Sequence, residues 1–320
     1  MKILVTGGNG FVGRQLVKRL LDPVAQFPEN SAIKRLTVVD MGDDFLPDDP
    51  RLHFVRGSIA DATVLDAALD CAPDVVFHLA SIPGGAAERN FELGLQVNLY
   101  ATMELFQRLA RQGNCPRVVF ASTIAVYGSS LPQVVDEKTP LRPAMSYAAH
   151  KLAGEILLDD YNRQGLLDGR TLRLPGIVAR PPEPSGLLSA FMSDLFWKLA
   201  AGEHFACPVS AKAVAWWMSV GCCVENLLHA SRVSSEQLGA RRVYTLPVLR
   251  LTIAQVVEGL CERYGENRRL LVDYQPNPDL ERVFGSFPEL DSNVAESIGF
   301  RNDGSVADLV VNATAWRDPA

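Results

Sequence analysis

The segment Thr6-Gly7-Gly8-Asn9-Gly10-Phe11-Val12-Gly13 stands between a short apolar run, Lys2–Thr6, and a stretch in which Val12, Leu16, Val17 and Leu20 share one helical face. Glycines at 7, 10 and 13 permit a tight turn, close approach of the backbone to a pyrophosphate, and close contact of helix with strand. The phosphates then rest on the helix N-terminus, where unpaired N–H groups and the helix dipole favour negative charge. Strand, glycine turn and helix together predict the first unit of a dinucleotide-binding sheet. A glycine triplet alone would also fit an ordinary turn, so the rest of the chain has to carry the repeat.

Apolar runs at Arg35–Asp40, Leu52–Arg56, Asp74–Leu79, Arg117–Ser122 and Arg170–Leu174 read as further strands. Between them, Val64, Ala67 and Ala68 mark a helix begun by Asp61 as its cap, and Phe91–Arg111 and Tyr147–Asn162 read as longer helices. Strands alternating with helices predict an α/β fold, a doubly wound parallel (Rossmann) sheet whose ligands bind at the carboxyl ends of the strands. After Leu174, Pro175, Pro181, Pro182, Pro184 and Gly186 interrupt regular structure, which marks the start of a smaller C-terminal substrate lobe. The expected division is a dinucleotide-binding domain over 1–174, with 214–246 returning to it, and a lobe over 175–213 and 247–320. Trp216–Ala230 is expected to rejoin the main sheet as a strand and helix.

Composition narrows the partners. The net charge of −6 is spread along the chain without a Lys/Arg block, which argues against nucleic acid. No apolar run reaches the ~18 residues of a membrane span, and Met1–Thr6 enters a strand without a signal segment, so a cytoplasmic protein is expected. The six cysteines lie at irregular spacings without a CxxC pair, which predicts free thiols and no metal site.

Asp40 ends the second strand, where a carboxylate accepts hydrogen bonds from the adenosine ribose. Met41-Gly42-Asp43-Asp44 follows it without Arg or Lys for a 2′-phosphate, which favours NAD over NADP. The spacing from Gly13 to Asp40 exceeds the usual ~20 residues, an excess attributed to an insertion around Pro23–Asn30. Tyr147 and Lys151 are four residues apart and share a helix face. An ammonium beside a phenol stabilises the phenolate, so that it can take a proton from an alcohol near neutral pH. Ser122 and Thr123 end the fifth strand, where one hydroxyl could bond the reacting oxygen or simply cap the loop.

With TGGNGFVG, VVD, FHLAS (Phe77–Ser81), Asn98, ASTIAVYG and YAAHK in this order, the first half resembles the extended short-chain dehydrogenase/reductase superfamily, which includes the NAD-dependent epimerases and dehydratases. The resemblance implies Thr123, Tyr147 and Lys151 as the catalytic residues, with Lys151 also on the nicotinamide ribose. It implies cofactor contacts from Gly7, Asn9, Gly10, Phe11, Val12, Gly13, Asp40, Ser58, Ile59, Leu79, Ala80, Ser81, Asn98, Tyr147, Lys151 and Pro175. Ser58 departs from the family's usual Asp, and His78 reads as a structural strand residue. The helices Phe91–Arg111 and Tyr147–Asn162 resemble those that join two subunits, which implies a homodimer.

Nucleotide-sugar members carry an Asn after the sixth strand and an Arg before the returning one; here Arg173-Leu174-Pro175-Gly176-Ile177 and Ser210–Ala215 supply neither. RVVFASTIAVYGSSLPQVV, DGRTLRLPGIVARP and Cys207-Pro208-Val209-Ser210 instead resemble the D-erythronate dehydrogenase family, which oxidises the C2 hydroxyl of a four-carbon sugar acid with NAD. A small-molecule sugar acid is therefore the expected substrate, touched by Ser81, Thr123 and Tyr147. Arg180 is the candidate for its carboxylate, or else a structural Arg paired with a loop acid. The chain departs from that family at Pro182, at Ala148 and in the loop Glu183–Ala190. Two alternatives stay open: a nucleotide-sugar epimerase or dehydratase, and a cofactor-sensing protein without chemistry, a class that typically lacks the Tyr or Lys retained here.

Overall fold

The main sheet grows outward from the strand that feeds the glycine turn. A computed structural model describes residues 1–22, 32–182 and 188–315. Strands β1 (Lys2–Thr6), β2 (Arg35–Asp40), β3 (Leu52–Arg56), β4 (Val75–His78), β5 (Arg117–Thr123), β6 (Asp168–Leu174) and β7 (Val243–Thr245) form one sheet in the order β7-β6-β5-β4-β1-β2-β3. β1 runs parallel to β2 and β4, with Leu4 beside Thr37 on one side and Val76 on the other. β2–β3, β4–β5 and β6–β7 are parallel as well. The order reverses between β1 and β4, the switch point at which a doubly wound sheet opens a crevice at its carboxyl edge. Ile3, Leu4 and Val5 are wholly buried, because a parallel sheet covered on both faces needs continuous apolar strands rather than alternating ones.

Helix α1 (Phe11–Leu21) buries Leu16, Val17 and Leu20, with Phe11 and Gly13 rather than Val12 at its buried start. α2 (Ala62–Leu69) begins at Asp61, whose carboxylate accepts the Thr63 N–H at 2.8 Å. Its buried face is Leu65, Ala68 and Leu69, whereas Ala67 is exposed. The expected stripe is thus rotated, since leucines gain more from burial than alanine does. α3 (Gly84–Arg89) and α4 (Phe91–Leu95) lead through a π-helical turn, Gln96–Tyr100, into α5 (Ala101–Gln112), and α6 (Ser146–Arg163) follows later. Leu4, Val76, Val118 and Phe120 of the sheet pack with Leu65, Leu105, Phe106, Leu109 and Leu158 of the helices.

The chain divides into two compact units, Met1–Val126 with Arg142–Arg173 and Val224–Thr245, and Tyr127–Leu141 with Leu174–Cys223 and Leu246–Ala320. In the second, Val214–Ser219 runs antiparallel to Leu249–Thr252 and parallel to Gly176–Val178. α7 (Ala190–Ala201) and the helices Ile253–Tyr264 and Val306–Thr314 close a core around Leu195, Phe196, Trp217, Val256, Leu260 and Leu309. The strand expected to rejoin the main sheet at Trp216 therefore belongs to this smaller sheet, and β7 extends the main one instead. An apolar run identifies a strand but not its neighbour. Here the Trp216 indole donates to the Pro288 carbonyl at 2.8 Å and that of Trp217 to Leu251 at 3.1 Å, which satisfies both buried N–H groups within the second unit. The segment 127–141 also falls in the second unit rather than with its neighbours in sequence.

α8 (Val220–Arg232) ends at the amino edge of the main sheet. There Arg117 of β5 and Arg170 of β6 both pair with Asp168 and donate to the carbonyls of Ser231 and Ala230, cations placed at the negative end of a helix. The insertion around Pro23–Asn30 lies outside the described residues, as do Pro184, Gly186 and most of the loop Glu183–Ala190. Among the described residues no helix is long and apolar enough to cross a membrane.

Candidate active site

The carboxyl edge of the main sheet gathers the sequence-predicted residues of the first unit. After β1 the chain turns at Gly7, whose N–H donates to the Val39 carbonyl at 2.8 Å. A Cβ at Gly13 would lie 2.0 Å from the Gly7 carbonyl oxygen, and one at Gly7 would lie 2.7 Å from the Ala80 nitrogen, so this turn closes only on bare backbone. α1 then starts with no side-chain cap and no acidic residue in its first turn, which leaves its N–H groups open to a phosphate. This uncapped cradle fits a dinucleotide.

Asp40 ends β2 and accepts the Asn9 N–H at 2.8 Å and the Met41 N–H at 2.7 Å. Asn9 in turn accepts the Phe45 N–H at 3.0 Å, so the glycine turn and the loop after β2 brace one another. After β3, Ser58 accepts from the Ala60 N–H, and Ile59 is buried in the core. After β4, Leu79 donates to the Thr6 carbonyl at 3.1 Å, and Ala80 and Ser81 follow. Asn98, in the π-helical turn, binds Ile82 rather than pointing to open space: its amide accepts the Ile82 N–H at 2.7 Å and donates to the Ile82 carbonyl at 3.0 Å.

His78 is wholly buried, with its ring nitrogens 2.7 Å from the Thr6 hydroxyl and 2.9 Å from that of Thr102. Burial, aided by the Lys151 charge, pushes its pKa down to about 3, so the ring is neutral and serves the core. At the end of β5 the two hydroxyl candidates separate. Ser122 is buried and donates to Glu155, whereas Thr123 is only partly buried and its oxygen accepts from the Ala125 N–H at 3.2 Å.

Tyr147 and Lys151 lie on the first turns of α6, whose first residue, Ser146, donates its N–H to Glu88. Tyr147 is partly buried, and Lys151 is 2% exposed. The Lys151 nitrogen sits 4.7 Å from the centre of the Phe120 ring and 5.9 Å from that of Tyr147. Burial lowers the lysine pKa to about 7, against the opposing pull of Glu155. Pro175 and Arg180 belong to the second unit, where the Arg180 N–H donates to the Ser193 hydroxyl at 3.0 Å and its carbonyl accepts the Trp197 indole N–H at 2.5 Å.

A family model described as "NAD dependent epimerase/dehydratase family" matches residues 3–231, the stretch that carries this turn and this Tyr–Lys pair. The chain belongs to the NAD-dependent epimerase/dehydratase family. NAD is accordingly its cofactor, and it is an NAD-dependent oxidoreductase of the short-chain type. It is 38% identical to the D-erythronate dehydrogenase of Cupriavidus necator over 97% of both chains. It is also 30% identical to the D-erythronate dehydrogenase of Haemophilus influenzae, over 97% of this chain and 98% of the other. Among solved structures it resembles the nucleoside-diphosphate-sugar epimerase of Agrobacterium tumefaciens, with TM-score 0.89 and 29% identity over 99% of this chain and 94% of that one.

Around the candidate site, Thr6 and Thr102 flank the His78 ring and Arg173 holds Glu155, and the sequence assigned none of these four partners a role. Only Glu155 carried a signal, as a third polar residue at the four-residue spacing of Tyr147 and Lys151.

Proposed function

We propose that this chain oxidises the C2 hydroxyl of a small, D-erythronate-like sugar acid to the 2-oxo acid, with Tyr147 as acid/base. The observation that carries the reading is a buried ammonium four residues beyond Tyr147 in a chain 38% identical, end to end, to a D-erythronate dehydrogenase. Tyr147 takes the hydroxyl proton, and Lys151 stabilises the phenolate that accepts it. Thr123 aligns the reacting oxygen, since Ser122 is committed to Glu155. Ser81 lines the substrate, and Arg180, its backbone fixed by α7, takes the carboxylate. NAD, when bound, supplies the hydride acceptor. Gly7, Asn9, Gly10, Phe11, Val12 and Gly13 cradle its phosphates and Asp40 its ribose. Ser58, Ile59, Leu79, Ala80, Ser81 and Pro175 border it, Asn98 shapes its loop through Ile82, and Lys151 also reaches the nicotinamide ribose.

The working form is a homodimer: Phe91, Leu93, Tyr100 and Met103 before and along α5, with Ile156 of α6, are large apolar side chains left exposed. Six cysteines without a disulfide fit a cytoplasmic setting.

The test is a screen of the protein with NAD against four- to six-carbon sugar acids and UDP-sugars, read by absorbance of the reduced cofactor. NADH should form with erythronate-like acids, and Tyr147→Phe should lower the rate at least about a hundredfold; full activity in that variant rejects the role. The likeness to a nucleoside-diphosphate-sugar epimerase structure favours a second reading, in which UDP-sugars bind tightly and no NADH accumulates.

A further inference from the structure

Tyr147, Lys151 and Glu155 stand on successive turns of one face of α6. Glu155 is 3% exposed, and its carboxylate is held from two strands. Ser122, at the end of β5, donates its hydroxyl to one oxygen. Arg173, near the end of β6, donates from Nη2 at 2.7 Å and from Nε to both oxygens at 3.2 Å. Ser122 and Arg173 are buried too. The same carboxylate therefore ties together the helix that carries Tyr147 and Lys151, the strand that ends in Thr123, and the strand that leads to Pro175.

We propose that Glu155 is a positioning residue for the reaction: locked by Ser122 and Arg173 one helical turn beyond Lys151, its carboxylate favours the protonated form of that lysine beside Tyr147. The proposal rests on the acid/base reading given above. An ammonium buried against an aromatic ring loses its hydration, and a nearby opposite charge is what restores the charged form. The groups around Lys151 leave Glu155 to do this. Tyr147 on α6 is the group the ammonium serves. His78 on β4 is held neutral, and Phe120 on β5 offers only its ring face. The Arg173 charge is offset by Glu155 itself. Of these, Glu155 is the one that raises the lysine pKa against burial. The Arg173 and Ser122 bonds stop the carboxylate from swinging away, because both of its oxygens are engaged.

The chain has seven lysines, few enough for the Lys151 signal to be followed in the full-length protein with side-chain carbon labelling, assigned by its loss in Lys151→Arg. Glu155→Gln should lower the Lys151 titration midpoint by about one pH unit or more, and the alkaline limit of kcat/KM should fall with it. Glu155→Gln combined with Arg173→Gln should lie between that variant and the unaltered chain, because it also removes the unbalanced guanidinium. Glu155→Asp should restore most of the midpoint. An unchanged midpoint in Glu155→Gln overturns the proposal, even if stability falls. Should that variant not fold, the double variant decides, and a midpoint equal to that of the unaltered chain rejects it. The lysine titration is read without substrate, so an active Tyr147→Phe would remove the acid/base reading while leaving this result to stand or fall by itself.

Discussion

Asn98 grips Ile82 from both sides, accepting its N–H at 2.7 Å and donating to its carbonyl at 3.0 Å. One amide side chain thus imitates a neighbouring strand and fixes the loop that begins at Leu79. Asn98→Ala strands two backbone groups and should destabilise the protein by about 1–3 kcal/mol. It should also raise the KM for NAD, since the proposed function sets the freed loop against the cofactor. Urea unfolding and initial-rate kinetics check both, and no change in either would mean that the loop is held by other contacts.

Lys151 titrates at about 7 when folded and at 10.5 in its ordinary setting. Between these values the unfolded chain holds a proton that the folded chain has released, so this residue makes stability rise with pH. Its cost is fully present below about 7 and is relieved as the pH approaches 10.5. The slope contributed by one proton is at most about 1.4 kcal/mol per pH unit. Denaturation of the cofactor-free protein at several pH values should show the rise, and Lys151→Met should flatten it. Equal slopes in the two proteins would contradict the assignment.

A methyl group at residue 13 would meet the Gly7 carbonyl oxygen at 2.0 Å, a contact with backbone that no side-chain movement relieves. Gly13→Ala should cost at least about 2 kcal/mol and weaken NAD binding more than tenfold, read by quenching of protein fluorescence. Binding of NAD at unaltered affinity would show that the phosphates lie elsewhere.

Ile156 is 64% exposed on α6, and Tyr100 and Met103 are exposed at the π-helical turn and on α5. Light scattering should give the mass of two chains, and Ile156→Lys should shift it toward one by placing a charge in an apolar seam. A single-chain mass for the unaltered protein would end the dimer reading.

The edges of β1, β2 and β3 and the glycine turn were legible because one physical demand fixes each: apolar strands buried on both faces, and a turn without side chains. β4 and β6 differ from expectation by only one or two residues. What stayed hidden has no local signature. The partner of Val214–Ser219 depends on where two indole N–H groups find carbonyls far along the chain. The wide turn at Asn98 leaves apolar periodicity nearly intact, so a helix was expected and the turn within it was not. Ser122, Glu155 and Arg173 come together from three elements, and only the glutamate spacing hinted at it.

The anchoring of α8 by Arg117, Arg170 and Asp168 sits at the amino rim of the main sheet, whereas Gly7, Asp40, Thr123 and Tyr147 stand at the opposite rim. On the proposed reading, strength and chemistry lie at opposite edges of the same sheet. Loops on the reactive rim can be rebuilt for another hydroxy acid while the foundation at the far end goes untouched. Damage to that foundation would instead lower the amount of folded protein without changing which acid it accepts.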